Sequence, residues 1–157
     1  LERAVRNPAD MDARINLSLG CLEAGLAFSN VSLGAVHSMA HSLGGYLDLP
    51  HGECNAVVLS HVILFNYEAS PERYERIAQV FGLDLRGMTP KEKGRALFQE
   101  IERMRSLVGV GKTLGQMGVR NSDVGQLAEH AVADPCLVTN PRRVSRRDLE
   151  VVYEEAL

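Results

Sequence analysis

The sequence predicts an all-α domain, and three observations indicate it. Pairs of a capping residue and a proline, which commonly begin helices, occur at Asn7-Pro8, Ser70-Pro71 and Thr89-Pro90. Apolar residues recur at steps of three and four along most of the chain, which is the period of an amphipathic helix. No apolar run has an evident partner strand. We therefore expect about seven or eight helices and no sheet, in a single domain spanning residues 1–157.

The first long helix is predicted over residues 8–29, after Asn7-Pro8. Gly20 and Gly25 lie inside it, and each costs about 1 kcal/mol relative to alanine. This cost indicates that another backbone packs closely there, so we expect the helix to be central. Its apolar positions at three- and four-residue steps are Met11, Ile15, Leu19, Leu22 and Leu26.

Two further helices are predicted around a turn. One covers residues 33–43 and ends at Gly44-Gly45, where "GGYLDLP" has the composition of a turn. The next begins at His51, ends at Asn66 and contains the apolar run "AVVLSHVILF". Valine and isoleucine could also form a buried strand here, because periodicity alone does not separate the two. We favour a helix because no partner strand is evident.

The second half predicts helices over residues 71–81 and from Thr89 to Leu107. "TLGQMGV" predicts one or two turns, and "NSDVGQLAEHAVAD" predicts a helix capped by Asn121 or Ser122. The last segment, "VSRRDLEVVYEEAL", has Ser145 and Asp148 at the spacing of a capping box.

Composition and charge exclude several classes of partner. The net charge is −3 and the pI is near 6.0, which argues against binding to nucleic acid or to an anionic membrane surface. We interpret the one basic cluster as the solvated start of a helix, with binding of a phosphate or an acidic partner as the alternative. That cluster consists of Arg142, Arg143, Arg146 and Arg147.

Cysteine usage and hydropathy favour the cytoplasm. The three cysteines, Cys21, Cys54 and Cys136, are far apart and have no CxxC spacing, so a disulfide framework or a cysteine zinc site is not expected. No apolar run approaches the roughly 18 residues of a membrane helix, and the charged start is unlike a signal peptide. The chain lacks an initiator methionine, and we interpret residues 1–6 as the end of something longer.

Histidines are concentrated between residues 34 and 62, at His37, His41, His51 and His61. On a helix, His37 and His41 lie on one face within about 6 Å, a spacing that suits two imidazole ligands of one metal ion. The signal is weak alone, because HxxxH pairs arise by chance and the glutamate of a zinc-protease helix is missing. A structural role is the alternative for both residues.

His51 strengthens the metal hypothesis, because the turn before it folds its helix back toward His37 and His41. Three neutral imidazoles would favour Fe(II) or Zn(II). Gly52 would allow a close approach to the backbone. We expect Glu53 to point away and to favour the helix dipole, and no carboxylate partner is evident. His61 is interpreted as a core or cap residue, and His130 as remote from the cluster.

The stretch "GAVHSMAHSLGGYLDLPHGECNAVVLSHVILFN" resembles the signature of the iron-containing (group III) alcohol dehydrogenases, approximately GxxHxxAHxLGxxxxxPHGxxNAxxLPHVxxFN. "ERYERIAQVFGL", "VGKTLGQMGV" and "LAEHAVADPCLVTNPRRVSRRDLEVVYEEAL" extend the resemblance over nearly the whole chain. It implies a helical metal-binding domain, the second of two. His37 and His51 fall on two of the family's four metal ligands, and His41 falls on a histidine near the nicotinamide that is associated with proton movement.

The sequence also departs from the family pattern. The family's remaining ligands, an aspartate and a further histidine, come from an upstream helix, and an amino-terminal domain carries the glycine-rich cofactor loop. Neither is in this chain. Ser42 and Ser60 stand where the family has prolines, which we interpret as mild packing changes.

The resemblance implies that the parent protein oxidises a small alcohol or reduces an aldehyde with NAD or NADP and a bound Fe(II) or Zn(II). The isolated chain is expected to lack turnover. The alternative is a non-catalytic helical module for interaction or oligomerisation. We expect the isolated chain to self-associate, because removal of the amino-terminal domain should expose apolar surface that the intact protein buries, and the apolar run "AVVLSHVILF" motivates this expectation. A homo-oligomer is also expected.

Overall fold

The computed structural model describes residues 1–157 and contains eight α-helices and no strand. The predicted all-helical fold is confirmed, and "AVVLSHVILF" lies within a helix. Four short 3₁₀ turns complete the chain: Tyr67–Ala69, Gly115–Met117, Asn121–Asp123 and Pro135–Thr139. The helices are α1 (Glu2–Arg6), α2 (Met11–Val31), α3 (Ala35–Leu47), α4 (His51–Asn66), α5 (Pro71–Val80), α6 (Pro90–Leu107), α7 (Val124–Val132) and α8 (Arg146–Ala156).

The main core forms where α3 packs between α4 and α7, with α8 closing it. Ser38 Oγ donates to the Ala131 carbonyl at 2.9 Å, and Ser42 Oγ donates to the Leu127 carbonyl at 2.8 Å. Tyr153 on α8 donates from its hydroxyl to the Met39 carbonyl at 2.9 Å. Burial raises the pKa of Tyr153, so its phenol remains a donor. These bonds fix α3 on two sides.

Helix α3 extends beyond its predicted end at residue 43. Gly44 and Gly45 lie inside the helix, which ends at Leu47 before Asp48 adopts a left-handed conformation with φ 54. Leu43 is fully buried and Leu47 packs against the same core. We infer that burying these two leucines, one turn apart, outweighs the cost of two helical glycines.

Helix α2 differs most from the prediction. It begins at Met11, where Asp10 caps it by accepting a hydrogen bond from the Ala13 amide at 3.0 Å. Ala13 is its only buried residue, and no atom lies within 4 Å of a Cβ built on Gly20 or Gly25. The expectation of a central helix is therefore wrong for this chain, because α2 packs chiefly against α1.

Exposed apolar surface is concentrated on α2 and not on the apolar run of α4. The run in α4 is largely buried against α3, α6 and α8. Self-association is therefore supported by the exposed apolar side chains of α2 and not by the apolar run of α4. The exposed large side chains of α2 are Met11, Ile15, Leu19, Leu22, Leu26, Phe28 and Val31.

A network of hydrogen bonds joins the start of α3 to the end of α4. The side-chain amides of Asn66 and Asn140 exchange two hydrogen bonds, at 2.9 and 2.8 Å. Asn140 Oδ1 also accepts from the Ala35 amide at 3.2 Å. Arg142 donates to the Phe65 carbonyl at 2.9 Å and lies 4.0 Å from the centroid of that ring. The segment after α7 therefore holds both histidine-bearing helices.

Two further arginines of the basic cluster, Arg146 and Arg147, are paired within the protein. Arg146 contacts Glu150 at 3.1 Å, and Arg147 contacts Glu150 at 3.0 Å and Glu154 at 3.2 Å. Ser145 forms the predicted capping box with Asp148. These contacts are those of a solvated helix start, as interpreted from the sequence.

Helix α7 begins later than predicted. Asn121 and Ser122 form a 3₁₀ turn with Asp123, and the helix itself starts at Val124.

No single helix has both the length and the apolarity to cross a bilayer. Only α2 and α3 taken together have that length and apolarity, and they meet at a bend of 99°.

Candidate metal centre

Three histidines meet where α3 turns back into α4. His37 and His41 lie on successive turns of α3, and His51 is the first residue of α4. Ring centroids are 5.9 Å apart for His37 and His41, 5.5 Å for His37 and His51, and 5.3 Å for His41 and His51. The structure thus brings together the three histidines that the sequence singled out.

The spacing suits a divalent ion. Zn–N bonds of about 2.0–2.1 Å place the ring centroids of two ligands in tetrahedral geometry about 5 Å apart. The separations of 5.3 Å for His41 and His51, 5.5 Å for His37 and His51, and 5.9 Å for His37 and His41 all lie near this value, so the spacing alone does not select one pair. Burial lowers the pKa of His37, and the positive charges of His51 and His41 lower it further. His37 is therefore neutral near pH 7, which is the form that binds a metal.

An aspartate from a distant segment completes the cluster. His41 Nδ1 lies 2.9 Å from Asp134 Oδ2, and the two side chains are 41% and 15% exposed. Asp134 Oδ1 accepts from the Cys136 amide at 2.8 Å. Burial would raise the pKa of Asp134, but the hydrogen bonds from His41 and Cys136 outweigh it, so the pKa lies below its ordinary value.

No carboxylate partner was evident from the sequence, and Asp134 is one that the sequence analysis missed. Asp134 is 93 residues from His41 along the chain, and spacing arguments do not reach that far. The one available signal was "ADPC" within the segments that resemble the family's carboxy-terminal half. An aspartate before a proline is a common start of a turn, and here Asp134 caps Pro135–Thr139.

Cys136 lies beside Asp134 and His41, and the three side chains form a second group of possible metal ligands. Ligand atoms of His41, Asp134 and Cys136 all lie within 4.8 Å of one another. Burial raises the pKa of the Cys136 thiol, and the neighbouring Asp134 carboxylate raises it further. Because a metal binds the thiolate, this set is less suited to an ion than the imidazoles are.

The ring of His51 is oriented from within its own helix. Asn55, one turn later on α4, places Nδ2 at 2.9 Å from His51 Nε2. Glu53 is exposed and acidic in the first turn, which matches the expected dipole role. No atom lies within 4 Å of a Cβ built on Gly52, so the close approach expected there is absent.

The other two histidines lie outside the cluster. His61 is half-buried with its ring 5.1 Å from that of Phe98, and burial lowers its pKa, as expected of a core residue. His130 lies on α7 beside Gln126, at 2.9 Å. Ser42 and Ser60 form interhelical hydrogen bonds, the second to Glu102 on α6 at 2.5 Å, and so do more than adjust packing.

Comparisons of the sequence and of the structure with known proteins point to one enzyme family. The profile described as "Fe-containing alcohol dehydrogenase family, C-terminal" matches residues 1–157. The chain is 35% identical over 156 residues to 1,3-propanediol dehydrogenase of Klebsiella pneumoniae, covering 99% of the chain and 40% of that protein. Identity to lactaldehyde reductase of Escherichia coli (strain K12) is 39% over 147 residues, covering 94% and 38%.

A third relative and a solved structure extend the comparison. NAD-dependent methanol dehydrogenase of Bacillus methanolicus is 35% identical over 157 residues, which is 100% of the chain and 41% of the relative. A crystal structure of 1,3-propanediol oxidoreductase superposes with a TM-score of 0.94 at 34% identity, covering 99% of the chain and 41% of that structure. The chain therefore spans about 40% of the length of the relatives it matches.

Proposed function

Because the chain belongs to the Fe-containing alcohol dehydrogenase family, we propose that it is the metal-binding, carboxy-terminal domain of a longer NAD(P)-linked enzyme that interconverts small alcohols and aldehydes. The observation that carries this proposal is the convergence of three imidazoles at the junction of α3 and α4. Relatives named for propanediol, lactaldehyde and methanol support a short alcohol or aldehyde as the substrate.

His37 and His51 are the proposed metal ligands in this chain. The resemblance selects this pair, the 5.5 Å separation of the two rings is compatible with it, and the lowered pKa of His37 supports His37 as a ligand. Two imidazoles leave the site open, so further ligands come from upstream of this chain in the proposed enzyme, as the resemblance implies. Fe(II) or Zn(II) fits this donor set.

His41 is the proposed acid–base residue. A divalent ion supplies Lewis-acid polarisation of the substrate oxygen, and NAD or NADP supplies the hydride acceptor or donor. His41 takes up the hydroxyl proton during alcohol oxidation and returns it during aldehyde reduction. Its 41% exposed side chain leaves the ring open to substrate and to the nicotinamide, near which the resemblance locates it.

We place the enzyme in a reducing cytoplasm, because Cys21, Cys54 and Cys136 are all free thiols. A homo-oligomer is part of the same proposal, and the exposed apolar side chains of α2 support an interface on that helix.

The second candidate is a non-catalytic helical module for interaction or oligomerisation. The same exposed apolar side chains of α2 favour it. On this alternative the histidine cluster would be structural and no alcohol would be oxidised.

Assaying the complete product of the gene that encodes this chain separates the two candidates. We expect alcohol-dependent reduction of NAD⁺ or NADP⁺ with propanediols, absorbance being recorded at the nicotinamide band. His37→Ala should abolish it, whereas the matched control His130→Ala on α7 should not. A fully metal-loaded product with no turnover on short alcohols would favour the helical module.

A further inference from the structure

We propose that Asp134 is a positioning residue for His41, which holds the His41 proton on Nδ1 and so leaves Nε2 as the nitrogen that exchanges a proton with substrate. The inference rests on the proposed function, because His41 is the acid–base residue of that proposal. It adds a residue to the site that neither spacing nor the signature motif pointed to.

The geometry fixes the direction of the hydrogen bond. Oδ2 of Asp134 lies 2.9 Å from Nδ1 of His41, within the range of a strong charge-assisted bond. An ionised carboxylate only accepts hydrogen bonds, so Nδ1 must be the donor. A neutral imidazole carries one ring proton, so Nε2 of His41 then holds a lone pair.

The carboxylate is itself held in place. Its other oxygen, Oδ1, accepts from the Cys136 amide at 2.8 Å, and the Asp134 amide donates to the Ala131 carbonyl at 3.2 Å. Ala131 also accepts the hydroxyl of Ser38 on α3, at 2.9 Å. Asp134 is therefore fixed relative to the helix that carries His41, by backbone groups on one side and by α3 on the other.

His41 is the one histidine of the cluster that contacts a carboxylate. His51 instead has the neutral amide of Asn55 at its Nε2, a contact that a metal ion bound at that nitrogen would replace. A metal ligand needs only a lone pair, whereas a residue that cycles a proton gains from a neighbour that stabilises its charged form. The carboxylate thus distinguishes His41 from the proposed ligands.

The first experiment reads the tautomer without any metal or cofactor. In a long-range ¹H–¹⁵N spectrum of the ¹⁵N-histidine-labelled 157-residue chain above about pH 8, where imidazoles are neutral, we expect His41 to show the Nδ1–H pattern. His41→Gln identifies its signals. Asp134→Asn should shift His41 toward the Nε2–H tautomer, whereas Asp84→Asn, at an exposed carboxylate paired with Arg86, should not.

The wild-type spectrum alone decides the tautomer, even where Asp134→Asn fails to fold. A predominant Nε2–H tautomer in the wild type would overturn the proposal. An unchanged His41 spectrum in folded Asp134→Asn would also overturn it.

The second experiment uses the complete gene product. Asp134→Asn should lower kcat by about 10²-fold or more, with little change in KM and with the metal content retained. A loss confined to kcat, with KM and metal content unchanged, is a result that a purely structural residue would not give.

Two outcomes of this second experiment would overturn the inference. If Asp134→Asn and Cys136→Ser both released the metal, His41, Asp134 and Cys136 would be ligands, and the positioning role would be wrong. A wild-type product without alcohol-dependent turnover would refute the proposed function, and the catalytic half of this inference with it, whatever tautomer the spectrum shows.

Discussion

Replacing Asn140 with alanine should destabilise the fold strongly for a side chain that is only partly buried. The Asn140 amide takes part in four hydrogen bonds: with the Ala35 amide at 3.2 Å, with Asn66 at 2.9 and 2.8 Å, and with the Arg142 carbonyl at 2.7 Å. Its loss leaves the side chain of Asn66, a residue that is 3% exposed, without its two hydrogen bonds to Asn140.

The expected cost is about 3–5 kcal/mol, because four lost hydrogen bonds at about 0.5–1 kcal/mol each give about 2–4 kcal/mol and the unpaired Asn66 amide adds about 1 kcal/mol. For a domain of this size that lowers the thermal midpoint by about 6–20 °C. Urea unfolding followed by circular dichroism measures the free energy. Asn121→Ala, at an exposed asparagine, is the matched control and should change it by less than about 0.5 kcal/mol.

A double-mutant cycle tests the physical reason. Because Asn66→Ala breaks two of the same bonds, the double variant should cost about 1–2 kcal/mol less than the sum of the single variants. Strict additivity would refute the reasoning, and so would a cost for Asn140→Ala no larger than that of the control.

Four other substitutions have definite expected outcomes. Gly94→Ala should destabilise the chain, because a Cβ there meets the buried Tyr67 ring at 3.1 Å. Gly20→Ala should stabilise it by up to about 1 kcal/mol, because no atom lies within 4 Å of a Cβ at that helical position. Urea unfolding measures both changes. Burial lowers the pKa of His61, so the unfolded state binds more protons than the folded state below the unfolded pKa of about 6.5. The free energy of unfolding should therefore fall as the pH is lowered from about 7.5 to 5.5. This loss should be smaller in His61→Leu. The chain should self-associate through α2, so light scattering should show a smaller mass for Leu22→Lys than for wild type, and an unchanged mass would contradict an interface there.

The fold was predictable where local chemistry decides it. The cap at Thr89 and the capping box at Ser145 act within one helical turn, and both form as the sequence indicates. The end of α3 was not predictable from local signals, because burial of Leu47 against a distant core outweighs Gly44 and Gly45. The position of α2 depends on what surrounds the helix, which its own residues do not specify.

The candidate site shows the same division. Helical spacing and one turn were enough to bring His37, His41 and His51 together, because all three lie within 15 residues of sequence. Asp134 reaches His41 only through the packing of α3 on α7, so periodicity carried no sign of it. Helical spacing favoured His37 with His41 as a ligand pair, whereas the resemblance favoured His37 with His51.

Ring separations of 5.9 and 5.5 Å leave both of these pairs able to bind an ion, so metal analysis of purified variants is the deciding measurement. The 157-residue chain should bind iron or zinc weakly, because two imidazoles make an open site. In the complete gene product, His37→Ala and His51→Ala should each remove the metal and abolish turnover, while His41→Ala should keep the metal and lose rate or change its pH profile. Loss of metal from His41→Ala as complete as that from His37→Ala would contradict the assignment and make His37 and His41 the ligand pair.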